Sequence, residues 1–337
     1  MRYRTRMSGA PNAARPGIWS KFPKVKTYLA RFEQLGPIAL PEERGWERVE
    51  LPRLQRWAAG ERFTFRVGPP DAEMALDYDL PSTMLDLRRV GESHECFAIR
   101  DALRGGAGWY PRWCKAMAYL YWAECFDHGW HEHAQRQFVR GERRQRLRTM
   151  SLVHGLGARV GHCIALGWFD FGVDLARRCY DAIDRDFCYD GADDFGRRRT
   201  QHFVLRLVAA WQGWPARESP RCAHDEPIFN TLIERWRTPD ASALAQPLLH
   251  ACDRHTQQCR DDNAKGEFFD LKMEATYTPF EILALYRLRE HLGLAHPQVE
   301  HPLLDTPLGR LHEVQPPWSD PLLDAVVARW QREFSAL

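Results

Sequence analysis

The densest grouping of metal-ligand residue types is Cys125-Phe126-Asp127-His128-Gly129-Trp130-His131-Glu132-His133. Zinc needs three or four N, S or O ligands converging in a tetrahedron. Cys125, His128 and His131 step by three, so one helix face would carry them. Gly129 interrupts that face, and Glu132 lies between two histidines rather than in an HExxH register. A solvated polar helix end is the better reading, and neither a metal nor a cofactor is expected.

Acidic residues gather twice. Asp181, Asp184, Asp186, Asp190, Asp193 and Asp194 fall within fourteen residues with only Arg185 against them. Asp181, Asp184 and Asp186 have the residue type for Mg²⁺, but a solvated helix end or a docking patch for a basic partner explains them more simply. Asp253, Asp261, Asp262, Glu267, Asp270 and Glu274 form a second stretch, diluted by Arg254, Arg260, Lys265 and Lys272. Phe268 and Phe269 beside its turn read as core residues. The basic run Arg140, Arg143, Arg144, Arg146 and Arg148 has the charge to meet phosphate. It lacks interleaved aromatics for base stacking apart from Phe138, so a solvated face is expected. No G-x-S-x-G, no P-loop and no G-x-G-x-x-G after a strand occurs. The chain is not expected to be an enzyme.

These residues need elements to position them. The chain has 337 residues, 44% hydrophobic and 27% charged, with net charge +2. Those values exclude wholesale disorder, and the near-zero charge argues against a dedicated nucleic-acid binder. No apolar run approaches the length of a membrane span, and no apolar core follows the basic N-terminus, so a cytoplasmic protein is expected. Nine cysteines without a CxxC pair fit buried free thiols.

Periodicity predicts an all-α fold of stacked helical hairpins. Residues 1–81 read as a basic tail, one helix ending near Leu35-Gly36-Pro37, and an irregular Pro-rich cover with one short strand at 62–67. Residues 82–337 read as the helical body. Within it, 109–126 is a buried helix, and Gly155, Gly157 and Gly161 would let another helix pack close to 152–166. Thr238-Pro239-Asp240 predicts an N-cap and first turn. Thr278-Pro279-Phe280-Glu281 predicts a capping box.

Two segments carry a resemblance. One is Ile164-Ala165-Leu166-Gly167-Trp168-Phe169-Asp170, followed by the acidic helix to Asp194. The other is Tyr277-Thr278-Pro279-Phe280-Glu281-Ile282-Leu283-Ala284-Leu285-Tyr286, with Leu292-Gly293-Leu294 and His301-Pro302-Leu303-Leu304. Over residues 110–311 the chain resembles the helical immunity proteins encoded beside interbacterial toxins, in particular those neighbouring nuclease effectors of type VI secretion. The resemblance implies an all-helical, enzymatically silent cytosolic protein. It would bind a cognate toxin, here a DNase with a restriction-endonuclease-like fold. The alternatives are a helical metal-dependent enzyme using acidic or His/Cys ligands, and a nucleic-acid-binding adaptor.

A nuclease grips phosphates, so its active face should be basic, and an inhibitor gains association rate by offering acid. Segment 181–194 carries six acids and one arginine. The expected contacts are therefore Asp186, Asp190, Asp193 and Asp194, with Phe187 and Tyr189 as aromatic anchors. Segment 261–274 is the reserve.

Overall fold

The computed structural model describes residues 23–34, 46–67, 74–77, 79–143, 147, 151–185, 187, 198–215, 217, 220–259 and 269–333. Among them the fold is all-α, with twelve α-helices and one two-stranded hairpin. Helix α1 is Val25–Phe32 and α2 is Trp46–Ala58. Strands β1 (Thr64–Val67) and β2 (Met74–Asp77) pair antiparallel, with Thr64 opposite Asp77 and Val67 opposite Met74. The expected strand at 62–67 is β1; its partner β2 carried no alternating signal.

Helices α3 (Asp79–Leu103) and α4 (Trp109–Val139) are the longest and pack against each other as the central hairpin. Gly91 lets them approach: a Cβ there would stand 2.6 Å from Leu120 Cγ. Leu87, Val90, Met117, Leu120 and Phe126 fill the seam and are buried. Each such side chain contributes about 1.5–3 kcal/mol. Helix α4 runs unbroken through Gly129, the residue expected to interrupt the face of Cys125, His128 and His131. A Cβ at Gly129 would meet Trp330 at 3.6 Å, an ordinary van der Waals contact, so packing does not require a glycine there.

A second hairpin, α5 (Ser151–Ala165) and α6 (Phe169–Asp184), lies beside the first. The glycine stripe on α5 receives three different neighbours. Gly155 faces the Glu124 carboxylate of α4, Gly157 faces Gln201, and Gly161 faces Phe280. Helices α7 (Arg199–Gln212), α8 (Pro227–Arg235), α9 (Ser242–Gln258) and α10 (Phe280–His291) follow. Helix α10 packs on α5, and α7 touches both. The short α11 (Pro302–Asp305) leads to α12 (Pro321–Glu333), which packs on α2.

Three local expectations need correction. Helix α2 forms inside the region read as irregular. Leu54 and Trp57 are fully buried in it, and Pro52 within the helix is what hid their spacing. Helix α9 begins at Ser242, and Asp240 Oδ1 accepts from the Ser242 amide at 3.0 Å. Thr238 therefore does not cap it. The Thr278–Glu281 capping box does not form. Thr278 Oγ1 donates to the Ala275 carbonyl, and Glu281 is buried against His255 Nδ1 at 2.7 Å. A buried charge partner outweighs a cap of about 1 kcal/mol.

The interior is unusually polar. Arg88 reaches Asp127 at 2.9 Å, Arg159 chelates Glu95 at 2.7 and 3.0 Å, and Arg329 donates to the carbonyls of Trp57 and Glu61. The last contact ties α12 to α2, so the N-terminal helices belong to the body. Among the described cysteines, eight are free and buried. No helix among the described residues is long and apolar enough to cross a membrane.

Burial, then Lys115 and Arg112, push the buried His94 down to about 3. The unfolded chain takes that proton near pH 6.5, whereas the folded one does not. This contribution is therefore lost as pH falls from about 6.5 toward 3. Asp86 and Glu124, raised by burial to about 7, act in the opposite sense as pH falls. The wild-type slope is thus a difference, and His94→Gln isolates one part of it. The variant should gain on wild type by up to about 1.4 kcal/mol for each pH unit below about 6.5. Urea midpoints at pH 7.5 and 5.0 check this, and a pH-independent gap would refute it.

Candidate functional site

Of the expected contact residues, Asp186, Tyr189, Asp190, Asp193 and Asp194 lie outside the described residues. Phe187 is described, and it corrects the expectation. Its ring is 1% exposed and packs 5.8 Å from His131 and 6.1 Å from His128. An anchor must lose water on binding, and Phe187 has already lost its water to the core.

The described acids of that segment are compensated. Asp181 Oδ1 meets Arg185 Nε at 2.8 Å, and Asp184 pairs with Arg217. Only Arg185 was visible as a local counter-charge. Two acids of the second stretch have partners as well. Asp270 is 1% exposed and binds Arg254 at 2.6 Å, and Asp253 meets His301 at 3.3 Å. Asp261, Asp262, Glu267 and Phe268 lie outside the described residues. Of the basic run, Arg140 is exposed and Arg143 half-buried, and the other three arginines lie outside them.

Cys125, His128 and His131 do not share a ligand point. Cys125 faces Asp174 at 3.8 Å, and burial pushes its thiol up to about 12, away from the thiolate a metal binds. His131 Nδ1 turns back to the Asp127 carbonyl at 2.7 Å. Instead, His128, Glu132 and Asp181 each bring one ligand atom within 4.8 Å of one another. Two arginines already supply positive charge there. Arg185 meets Glu132 at 3.3 Å as well as Asp181, and Arg178 donates to His128 Nδ1 at 3.4 Å. That leaves His128 Nε2–H to donate to Asp181 at 2.9 Å. Burial and Arg178 keep this imidazole below its ordinary pKa. The trio is a closed ion-pair network, and an ion would have to displace both guanidinium groups.

The open feature lies at the turn between α5 and α6. A trough of about 730 Å³ is lined by the Gly167–Phe171 turn, Trp211, His291 and residues 314–317. Phe169 stands 4.5 Å from His291 and 5.3 Å from Trp211, ring centre to ring centre. Phe171 stacks on Tyr121 at 3.9 Å. Phe169, Phe171 and Trp211 are half-buried, and Asp170 at the edge is exposed. Asp170 makes no ion pair among the described residues. Rings held firmly by one face and open on the other lose little entropy when a partner covers them.

The opposite wall is a strap pinned at three points. Trp168 Nε1 donates to the Gln315 carbonyl at 2.7 Å. Tyr110 donates to the Glu313 carbonyl at 3.0 Å, and Arg287 donates to the carbonyls of His312 and Ala165. Val314 presses on Gly167, which has φ +79°. A Cβ at Gly167 would lie 2.7 Å from Val314 Cγ2. Gly167→Ala should therefore cost about 1–2 kcal/mol for the left-handed backbone alone. Val314→Ala in the same chain should recover only the steric part. Thermal melting of the single and double variants measures both, and a neutral Gly167→Ala would refute the packing argument.

Gly167-Trp168-Phe169-Asp170 carries a resemblance in the sequence, but nothing local marks it as the wall of a trough. Trp211, His291 and the strap carried no local signal, because they meet the turn only in the fold. Pro316-Pro317, which bars helix at the strap, was the available cue. No protein-family model matches this chain, and neither a curated protein nor a solved structure matches it.

Proposed function

We propose that this chain is an immunity protein: it binds a cognate protein toxin in the cytoplasm and neutralises it, without catalysing a reaction. The toxin class suggested by the resemblance is a nuclease effector of type VI secretion. One observation supports the reading above others. The first segment that carries the resemblance lines the aromatic trough, and the helix of the second, more than a hundred residues further on, ends at it. Gly167, Trp168, Phe169 and Asp170 come from the first, and His291 comes from the helix of the second. Exposed Leu292, 42% accessible, follows directly. Aromatic rings rimmed by exposed Asp170 and exposed Arg177 suit a partner that offers apolar anchors and charges of both signs.

We therefore place the docking face at the trough; most of segment 181–194 lies outside the described residues. The competing reading, a metal-dependent enzyme, rests on His128, Glu132 and Asp181, where Arg178 and Arg185 already balance the charge. The deciding experiment expresses the product of the gene adjacent to this chain's own in a susceptible host, with and without the chain. Growth rescued by the chain, with co-purification of the pair, is the expected result. Equal killing in both cultures would refute the reading. One zinc per chain by elemental analysis after dialysis would favour the enzyme instead.

A further inference from the structure

A second cavity, of about 230 Å³, opens between α6, α7 and α8, and it shares no lining residue with the trough. Tyr180, Trp214 and Ile233 give it apolar walls, and Arg206 and Arg217 bring positive charge. No carboxylate among the described residues lines it. Arg217 stands 5.1 Å over the Tyr180 ring and pairs with Asp184, which lies outside the lining. Trp214 meets Tyr180 edge to face at 6.0 Å. Arg177, exposed on α6, stands 5.6 Å over the Trp214 ring and makes no ion pair among the described residues.

What remains is an excess of donors. The cavity lies at the C-terminal end of α7, where helix carbonyls are ordinarily left as free acceptors. Here they are taken. The Ala209 carbonyl accepts from the Gly213 and Trp214 amides, and the Ala210 carbonyl accepts from Arg237 at 2.8 Å. Arg206 donates through Nη1 to two neutral acceptors, the Ala223 carbonyl and Asn230 Oδ1. It makes no ion pair among the described residues. Burial holds its guanidinium below its ordinary pKa, and neither Tyr180 nor the exposed Glu234 offsets that. The Tyr180 hydroxyl makes no hydrogen bond among the described residues. Burial, then Cys179, push its pKa up to about 12, so it keeps its proton and stays a donor. His224 at the rim is held below its ordinary pKa by burial and Arg206, and a neutral imidazole offers one donor and one acceptor. The balance is a half-buried guanidinium and a hydroxyl with no acid to meet them. An oxyanion supplies the missing charge through charge-assisted hydrogen bonds.

We infer that this cavity binds a small-molecule oxyanion carried on a flat apolar body, with Arg206 and the Tyr180 hydroxyl holding the anion and Trp214 and Ile233 covering the body. The planar guanidinium fork takes a phosphate or a carboxylate alike, and the space is larger than a bare oxyanion needs. The inference stands apart from the trough reading and needs no protein partner.

Isothermal titration with phenyl phosphate, benzoate and benzyl alcohol tests the inference. Saturable one-to-one binding of phenyl phosphate or of benzoate is the expected result, and the tighter of the two names the anion. Benzyl alcohol has the ring without the charge and should bind about tenfold more weakly or worse. Arg206→Gln should weaken anion binding about tenfold or more, the loss of a charge-assisted hydrogen bond. Tyr180→Phe removes an oxygen that no described residue uses, so the fold should survive it. It should weaken anion binding about threefold to tenfold. Absence of saturable binding for both anions would overturn the inference, as would benzyl alcohol binding as tightly as they do. So would anion binding that Tyr180→Phe leaves within about twofold of wild type, whether or not the Arg206 variant folds.

Discussion

Replacing Asp270 with alanine should destabilise the protein by about 3–5 kcal/mol, the cost of leaving a buried charge without its partner. Helix α7 starts after Arg198 with no capping side chain of its own. Asp270 supplies the cap from seventy residues away. Its Oδ1 accepts from the Arg199 amide at 2.9 Å, and its Oδ2 accepts from the Thr200 amide at 3.0 Å and hydroxyl at 2.8 Å. A carboxylate at a positive helix end is itself favourable. The same Oδ2 accepts from Arg254 Nη2 at 2.6 Å, and Arg254 is only 7% exposed. Removing the acid strands that guanidinium, although Glu226 still meets it at 2.7 Å. Asp270→Asn keeps the shape and loses the charge, so it should cost less than alanine. Adding Arg254→Met to Asp270→Ala should recover part of the loss, because no buried charge is then left unpaired. Urea denaturation of the four chains measures these differences. An Asp270→Ala chain within about 1 kcal/mol of wild type would refute the hub.

That residue also shows where the sequence stopped being legible. Asp270 was counted with Asp261, Asp262 and Glu267 as a surface stretch, because nothing local distinguishes it from them. Its partners Arg199, Thr200 and Arg254 sit on α7 and α9, which meet it only through the fold. The same distance hid the Arg217 that balances Asp184, and the pairing of Glu281 with His255 that displaced a capping box. Helical period, by contrast, is local. It revealed α1, most of α4, the α5–α6 hairpin and α10, with boundaries a few residues off. The glycine stripe of α5 was legible for a related reason. Three glycines on one helix cost conformational entropy that only close packing offsets, and each meets a different neighbour. Phe187 was misplaced because the acids around it implied solvent. A single aromatic among charges can still turn inward when the chain folds back, as here against His128 and His131.

The trough yields the prediction that bears most directly on function. Phe169→Ala and Trp211→Ala should each weaken binding of the proposed toxin partner by about 2–4 kcal/mol, or about 30-fold and more in Kd. The argument is about which rings have water left to lose. Phe280, Phe203 and Phe229 are buried at 2% exposure or less and have none. Phe169 and Trp211 are half-buried, held 5.3 Å apart by the scaffold, with His291 against both at 4.5 and 5.6 Å. A partner that fills the trough dries them without having to order them first. Asp170, exposed at the edge, should act differently. Asp170→Asn should slow association and flatten its salt dependence while leaving dissociation nearly unchanged, because a rim charge steers more than it holds. Val139, 74% exposed and outside the trough, is the control, and Val139→Ala should bind like wild type. Surface plasmon resonance against the proposed toxin partner, on chains whose melting shows an intact fold, gives both rates. If the Phe169 and Trp211 variants bind within about twofold of wild type, the trough is not where the partner sits. Segment 181–194 would then return as the face to test.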